Sequence, residues 1–434
     1  MPEQLLTPEQ RQQLEALLAG DPIEAVCRRA QLLLLLDDGA PTQQAAQAVG
    51  ITPGRARHWR GSFRKQGMLI FPSESQPDQP LDAAVAKIIP VADQPAIPRE
   101  EPKQRSPLDQ FLLEAKSIGG PGVQPDDPLA EAGRKVMRHH FAQMLLHENG
   151  TRLGKDIEEL HDMRVATRRM RAAFEVFSDG FTEKAIKTHL KGLRATGRNL
   201  GRVRDLDVFM EKAHIYLKKL PADRQAELEP LLQSWAEERE KDRLLMVNFL
   251  DGSKYAEFRE DFLHFVSTPG AGARKPSSTD FIPSRAGDIA PILIYTRLAS
   301  VRAFNSILET ASLEQFHALR IEFKKLRYTV EFFREVLGEE SKLVINDLKM
   351  IQDHLGDLND AHVATQILRD FLTVWEKEQD QLPVAQRRSP EPILAYLTFR
   401  YNELQRLMQS FQETWQHFNR PEFQQNLAQA VAGL

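Results

Sequence analysis

Two stretches of the chain repeat one pattern: HDMRVATRRMRAAFEVF at residues 161–177 and HALRIEFKKLRYTVEFF at residues 317–333. Both read H-x-x-R-x-x-x-[RK]-[RK]-x-R and continue into an apolar tail. The methionines and phenylalanines of the first copy form an apolar arc, which lies about 110° from its basic arc at 100° per residue. That basic arc spans roughly 80° and contains His161, Arg164, Arg168 and Arg171. The repeat therefore predicts two helices, each with an apolar face buried in a core and an adjacent basic edge.

The basic edges are unusual for a solvated helix surface. Cations one turn apart repel each other by a few tenths of a kcal/mol per pair, and the first edge has no acid before Glu175. Because both copies repeat this unfavourable choice, we interpret the edges as binding an anion, rather than as solvated or salt-bridged faces. The candidate contacts are His161, Arg164, Arg168, Arg169, Arg171, His317, Arg320, Lys324, Lys325 and Arg327.

The helix after the first copy carries further cations at helical spacing. Supporting contacts are expected at Lys187, Lys191, Arg194, Arg198 and Arg202. In the second half, Lys349 takes the place of Arg194 but Asp353 takes the place of Arg198, so the first half is more basic. Weaker candidates are Lys349 and, upstream of the first copy, Arg134 and Arg138; Arg297 and Arg302 belong to the analogous second-half helix.

Each half then contains a Leu-Gly pair followed by acids: LGRVRDLDV at residues 200–208 and LGDLNDAHV at residues 355–363. We expect one helix to end at each glycine and another to begin with an acidic cap. The alternative is a divalent metal held by carboxylates, since hard cations prefer oxygen ligands. Capping and pairing with arginines is the favoured interpretation for the acids concerned, which are Asp205, Asp207, Asp357 and Asp360.

Proline marks the domain boundaries. Eleven of the chain's 26 prolines lie within residues 72–128, and proline disfavours helix at and before its own position. We therefore expect a Pro-rich linker at 72–125, with a short helix at 109–116, between an N-terminal module at 1–71 and a body at 126–420. A mobile loop at 267–290 is predicted to divide the body into halves at about 126–266 and 290–420.

Elsewhere the apolar residues have helical period, which predicts an all-α fold. Helices are expected at residues 129–147, 158–177, 184–199, 205–219, 224–251, 292–309, 313–337, 342–356, 359–378 and 393–418.

The N-terminal module has the pattern of two short helices around a glycine-containing turn. Ala45, Val49, Ile51 and Trp59 are expected to pack together, and Thr52-Pro53 suits a helix start. The segment resembles the helix-turn-helix of transposases, and the alternative is a small helical interaction module with a solvated basic face. The resemblance implies DNA contacts from Arg55, Arg57, Arg60 and Arg64.

The repeated helices, with the Lys325-Leu-Arg-Tyr328 and Arg204-Asp-Leu-Asp-Val208 segments, resemble a CHAD domain, the conserved histidine α-helical domain. The resemblance covers roughly residues 126–420. It implies two pseudo-symmetric four-helix bundles with a basic central cavity that binds inorganic polyphosphate, and association with polyphosphate or storage-polymer granules in some members. A bound polyanion would favour protonated histidine, so affinity should rise as pH falls through about 6.5. Neutralising several charges also predicts a steep salt dependence.

Composition narrows the function further. The 434 residues contain 57 Lys+Arg and 61 Asp+Glu, which gives a net charge of −4 and argues against a uniformly basic nucleic-acid protein. One cysteine, Cys27, excludes an internal disulfide framework. The chain shows neither a membrane span nor a secretion signal, so we expect a soluble, cytoplasmic protein.

An enzyme is not expected, because Cys27 has no matched base and neither an H-E-x-x-H nor a Walker A pattern is present. The prediction is a non-catalytic polyphosphate-binding protein, without cofactor or metal, that is targeted to polyphosphate granules or the nucleoid. The alternative is a DNA-binding regulator whose helical body senses a polyanion or scaffolds assembly.

Overall fold

The computed structural model describes residues 5–19, 24–49, 56, 59–60, 63, 106–116, 119–275 and 284–434. Within these ranges the chain forms α-helices and short 3-10 turns and no β-strand, so the all-α prediction is confirmed. The chain divides into two compact units, Met1–Pro102 and Lys103–Leu434.

The N-terminal unit contains the helices Pro8–Ala19, Glu24–Asp37 and Thr42–Ala48. Ala45, Val49 and Trp59 are buried in one cluster, as the helix-turn-helix pattern predicts. The turn residues Ile51, Thr52 and Pro53 lie outside the described residues.

Both copies of the repeat form helices where the sequence places them. The first basic helix is Ile157–Val176 and the second basic helix is Leu313–Phe332. Their apolar faces are buried, the first through Met163, Met170 and Phe174, the second through Leu319, Phe323 and Leu326. The two helices also pack against each other, so the repeat is brought together in space.

The other helices of the larger unit are Pro107–Lys116, Leu129–Leu146, Glu148–Leu153, Glu183–Leu217, Glu229–Asp251, Ser253–Ser267, Ala286–Arg302, Ser341–Asp380, Glu391–Phe418 and Pro421–Ala432. We refer to Glu183–Leu217 and Ser341–Asp380 as the first and second long helices. Within the described ranges, no helix is both long and apolar enough to cross a membrane.

The predicted breaks at the Leu-Gly pairs are wrong. Both long helices continue through their glycines, Gly201 and Gly356, so Asp205 and Asp360 lie inside helices and cap nothing. A helical glycine costs about 1 kcal/mol relative to alanine. Here the apolar period continues across it, with Leu200 and Val203 buried on either side of Gly201, and this burial offsets the cost.

The helix expected at residues 292–309 begins earlier, at Ala286, and ends at Arg302. Its first turn is fixed by a distant segment: Ala286 N–H donates to Asp127 O at 2.8 Å, and Gly287 N–H donates to Pro125 O at 2.9 Å. Ala286 and Ala290 are also fully buried. Pro291 lies inside this helix. The long-range contacts of the first turn are not apparent from the local sequence.

The larger unit has a second core among its described residues. The C-terminal parts of both long helices pack with Glu229–Asp251 and Glu391–Phe418 through residues that include Phe209, Leu368 and Trp375. The ring centroids of Tyr216 and Tyr396 lie 4.8 Å apart. This core is distinct from the main one, which contains the apolar faces of the basic helices.

Candidate anion-binding site

The basic edges of the two helices face each other. The ammonium group of Lys324 is repelled by Arg320 on its own helix and by Arg164 and Arg168 on the first basic helix. Desolvation by burial, and then repulsion from these arginines and Arg327, lower the pKa of Lys324 from 10.5 to about 7. Arg164, Arg168, Arg320 and Lys324 are hereafter the central cations.

Burial also makes the arginines of this cluster costly to hold as cations. Desolvation lowers the pKa of Arg164 and of Arg320, with Asp205 and Asp360 respectively opposing the shift. The Nη2 atom of Arg164 lies 3.1 Å from Oδ1 of Asp205, which is the arginine pairing expected for that acid. The cluster is therefore partly, but not fully, neutralised by carboxylates.

Several donors in the cluster have no acceptor within the described ranges. The Nε atoms of Arg168, Arg320 and Arg327 are buried without a hydrogen-bond partner among the described residues. A buried donor left unpaired costs about 1–3 kcal/mol. An oxygen-rich anion between the two helices would supply acceptors for these groups.

A cleft of about 540 Å³ lies beside the central cations. Among the residues that line it are Arg168, Arg171, Arg194, Lys324 and Lys325, all predicted contacts, and Arg297, which was not in the predicted set. Burial first, and then Arg194 and Arg198, lower the pKa of Arg171, so these three arginines form a second concentration of positive charge. Arg297 could have been suspected because it corresponds to the Arg134–Arg138 region of the first half.

Two glycines of the first long helix lie next to arginines of the first basic helix. A Cβ atom built on Gly197 would lie 3.5 Å from Nη1 of Arg171, and one on Gly201 would lie 3.8 Å from Nε of Arg164. Both guanidinium groups therefore rest against bare helix backbone. The sequence showed Gly201 but suggested a helix end instead of a packing surface.

Other predicted contacts are engaged in ion pairs with acids. Arg169 pairs with Glu331 at 2.8 Å, and Arg327 approaches the same carboxylate at 3.5 Å. Lys325 pairs with Glu322 at 2.9 Å and with Glu175 at 3.5 Å. The pairs of Arg169 with Glu331 and of Lys325 with Glu175 join the two basic helices, whereas Arg327 and Glu331 lie one turn apart on the same helix. A ligand would have to compete with these carboxylates for all three cations.

The cations that the sequence predicts as supporting contacts on the long helices differ in whether they pair with acids. Lys187 pairs with Glu183, and Arg202 approaches Asp242 at 3.8 Å. Lys191, Arg194 and Arg198 are exposed, and none of them forms an ion pair with an acid in the part of the chain that the structure describes. Lys349 is exposed on the second long helix, where it helps to oppose the rise that burial causes in the pKa of Asp353.

Arg134 and Arg138 make other contacts than those expected. Arg134 is 2% exposed, and its guanidinium donates to the carbonyls of Thr268 and Ala271 at 3.0 Å. Arg138 lies over the ring of Phe111 and pairs with Glu114 at 3.1 Å. Arg134 satisfies the carbonyls that follow the helix Ser253–Ser267, which is a structural role.

The histidine that begins each copy of the repeat lies at the start of the basic edge of its helix. His317 is exposed, and its Nδ1 atom lies 2.9 Å from Oδ1 of Asn359. His161 is half-buried at the corresponding position of the first basic helix.

The acids that could serve as metal ligands pair with basic side chains instead. Asp207 accepts from Arg239 at 2.5 Å, and Lys212 lies 3.0 Å from Asp357 and 4.0 Å from Asp360. In the described part of the chain, no group of three or more His, Cys, Asp or Glu side chains could hold a metal ion.

Of the candidate DNA contacts, Arg60 is described: its Nη1 atom donates to Oγ1 of Thr42 at 3.4 Å. Arg55, Arg57 and Arg64 lie outside the described residues.

Comparison with known proteins gives two family matches. The CHAD domain model matches residues 135–369, and a homeodomain-like domain model matches residues 23–69. No curated protein matches the chain. The crystal structure of the CHAD domain from the plant Ricinus communis is 20% identical with a TM-score of 0.49, covering 72% of this chain and 94% of that one. PptA from Streptomyces chartreusis is 15% identical with a TM-score of 0.47, covering 67% of this chain and 100% of that one.

Proposed function

This chain belongs to the CHAD domain family, and we propose that it binds inorganic polyphosphate between its two basic helices. The observation that carries the proposal is the central cluster: burial and the three neighbouring arginines Arg164, Arg168 and Arg320 are among the causes that lower the pKa of Lys324 to about 7. Such a cluster is unfavourable in the absence of an anion, and a polyanion would offset its mutual repulsion.

Polyphosphate suits the donors that the cluster presents. It is a flexible chain of phosphoryl groups without bases to read, so recognition depends on charge and on hydrogen bonds to oxygen. Arginine provides planar forked donors for such oxygens, and lysine acts as a point charge. The contacts proposed first are the central cations and Arg171, with Arg194 and Arg198 along the adjacent helix, because none of these except Arg164 is held in an ion pair that the structure describes.

The proposal is for binding and not for catalysis. Arginine stays protonated and serves as neither base nor nucleophile at neutral pH. A lysine with a lowered pKa can do both, but a bound polyanion would raise the pKa of Lys324 again. In the complex, Lys324 therefore acts as a cation.

A second activity, DNA binding by the N-terminal unit, is favoured by its match to the homeodomain-like domain model. Its contacts would come from Arg55, Arg57, Arg60 and Arg64, although Arg60 already donates to Thr42. A chain with both activities would tether polyphosphate granules to the nucleoid in the cytoplasm. The competing account is a DNA-binding regulator whose helical body senses the polyanion.

Truncation of the chain tests these proposals. Labelled long-chain polyphosphate is titrated with the full chain and with a chain that lacks Met1–Pro102, the first compact unit. We expect equal polyphosphate affinities and loss of duplex DNA binding from the shorter chain. Loss of both activities on truncation, or no polyphosphate binding by the full chain, would contradict the proposed function.

A further inference from the structure

The cleft beside the central cations has two chemically different ends. Along the first basic helix the lining changes from Arg168 and Arg171 to Ala172 and Val176. The first long helix runs antiparallel beside it, since Gly201 lies against Arg164 while His189 stacks on Phe174. On that helix the lining changes correspondingly from Arg194 to Leu190 and Ile186.

Cations near the apolar end are already neutralised. Glu175 lines the cleft and lies 3.6 Å from Nη2 of Arg297 and 3.5 Å from Nζ of Lys325. The charge available to a ligand is therefore concentrated at the end formed by Arg168, Arg171 and Lys324. Inorganic polyphosphate, which presents oxygen along its whole length, would gain nothing from an apolar wall.

An unpaired hydroxyl also lines this cleft. Tyr328 is 3% exposed, and its hydroxyl has no hydrogen-bond partner within the described residues. The guanidinium groups of Arg169 and Arg327 lie 5.8 Å and 5.3 Å from the centre of its ring, within the range of cation–π contacts. A buried hydroxyl without a partner is unfavourable, and a ligand with polar atoms in its apolar part would satisfy it.

We propose that this cleft binds a nucleoside polyphosphate, with the phosphates on Arg168, Arg171 and Lys324 and the nucleoside against Ile186, Leu190 and Ile321. The Tyr328 hydroxyl would bond to the base or the sugar, which favours a nucleoside over a hydrocarbon chain. The cleft volume of about 540 Å³ is within the range of roughly 300–1,000 Å³ typical of small-molecule sites. The inference rests on the proposed function, because the phosphates use the same cations as polyphosphate.

The test compares adenosine triphosphate with inorganic tripolyphosphate, which has the same number of phosphoryl groups and at least as much negative charge. Both are titrated by calorimetry into the full chain at one salt concentration, without divalent cations. We expect adenosine triphosphate to bind about tenfold more tightly, because the nucleoside removes apolar surface of the cleft from water. Tripolyphosphate that binds as tightly as adenosine triphosphate, or more tightly, overturns the inference.

Three variants locate the preference in the cleft. Tyr328→Phe removes the unpaired hydroxyl without changing the packing volume, and Ile321→Ser removes a wall residue that is 38% exposed. Each should weaken adenosine triphosphate binding about threefold or more and leave tripolyphosphate binding unchanged. The matched control is Ile215→Ser, at an isoleucine that is 43% exposed on the first long helix outside the cleft lining. A nucleotide preference that survives both cleft substitutions overturns the inference.

Long-chain polyphosphate, measured on the same proteins, separates this inference from the proposed function. If the wild-type chain fails to bind long-chain polyphosphate, the proposed function is wrong. If it binds long-chain polyphosphate and shows no preference for adenosine triphosphate over tripolyphosphate, the nucleotide inference alone is wrong.

Discussion

The Nη2 atom of Arg169, on the first basic helix, lies 2.8 Å from Oε2 of Glu331, on the second. Oε1 of Glu331 also lies 3.5 Å from Nη1 of Arg327, so one carboxylate forms ion pairs with a cation from each copy of the repeat. The central cations nearby have fewer such partners. The repeated basic pattern therefore contains two kinds of cation: those that join the helices and those that are left for a ligand.

Removal of the shared carboxylate should destabilise the fold. We expect Glu331→Gln to lower the free energy of unfolding by about 2 kcal/mol, because two partly buried guanidinium groups lose their counter-charge. Urea unfolding measures the change. The control is Glu339→Gln, which breaks an exposed ion pair with Lys342 and should leave stability unchanged. Equal stability of the two variants would contradict the structural role of Glu331.

Lys324 should reduce the stability of the ligand-free protein. Its pKa is about 7 in the folded chain and 10.5 ordinarily, so between these values the unfolded chain binds more protons and stability rises with pH. Lys324→Met should therefore increase the free energy of unfolding by about 1–2 kcal/mol below pH 7, with a difference from wild type that shrinks toward pH 10.5. A difference that does not change with pH would show that Lys324 is not strained by its neighbours.

The same lysine should make polyphosphate binding depend on pH. Because Lys324 gains its proton as pH falls through about 7, affinity should rise between pH 8 and pH 6, and binding should be accompanied by proton uptake. Lys324→Arg should flatten this dependence, since arginine stays charged. The control is the double variant His161→Gln, His317→Gln. If that variant loses the dependence while Lys324→Arg keeps it, the histidines and not Lys324 are responsible.

Glycine in the first long helix should matter for arginine placement. Gly197→Leu would displace the Arg171 guanidinium, whose Nη1 atom lies 3.5 Å from the position of the added Cβ. We expect polyphosphate affinity to fall several-fold. Gly356→Leu is the matched control, because an added Cβ there meets nothing within 4 Å. If both variants bind polyphosphate with the wild-type affinity, Gly197 does not contribute to the site.

The sequence predicted those features that depend on helical period. The two copies of the repeat form helices with buried Phe174 and Phe323, and the basic edges lie close enough for Arg164 and Arg168 to act on Lys324. The cluster of Ala45 and Trp59 in the N-terminal unit was predicted in the same way. In each case, the apolar spacing within each helix was sufficient to predict which of its faces is buried.

Features that depend on distant parts of the chain could not be predicted. In the sequence, Arg134 cannot be distinguished from an exposed basic residue. In the structure it is buried and donates hydrogen bonds to the carbonyls of Thr268 and Ala271, which lie far away in the chain. Arg169 appears free in sequence, but its carboxylate, Glu331, lies on the opposite copy of the repeat. Lys325 has Glu322 one turn away on its own helix, but its second carboxylate, Glu175, also lies on the opposite copy. The pattern therefore gives the position of the cations along each helix, and long-range pairing decides which of them can bind a ligand.

The most direct test is the salt dependence of polyphosphate binding by the wild type and by the combined Arg164→Ala, Arg168→Ala, Arg320→Ala, Lys324→Ala variant. Affinity is measured at several salt concentrations, and circular dichroism checks that the variant is folded. If the central cations bind polyphosphate, the variant binds it more weakly and has a shallower slope of log affinity against log salt concentration, since fewer counterions are released. A folded variant with the wild-type affinity and slope would contradict this role of the central cations.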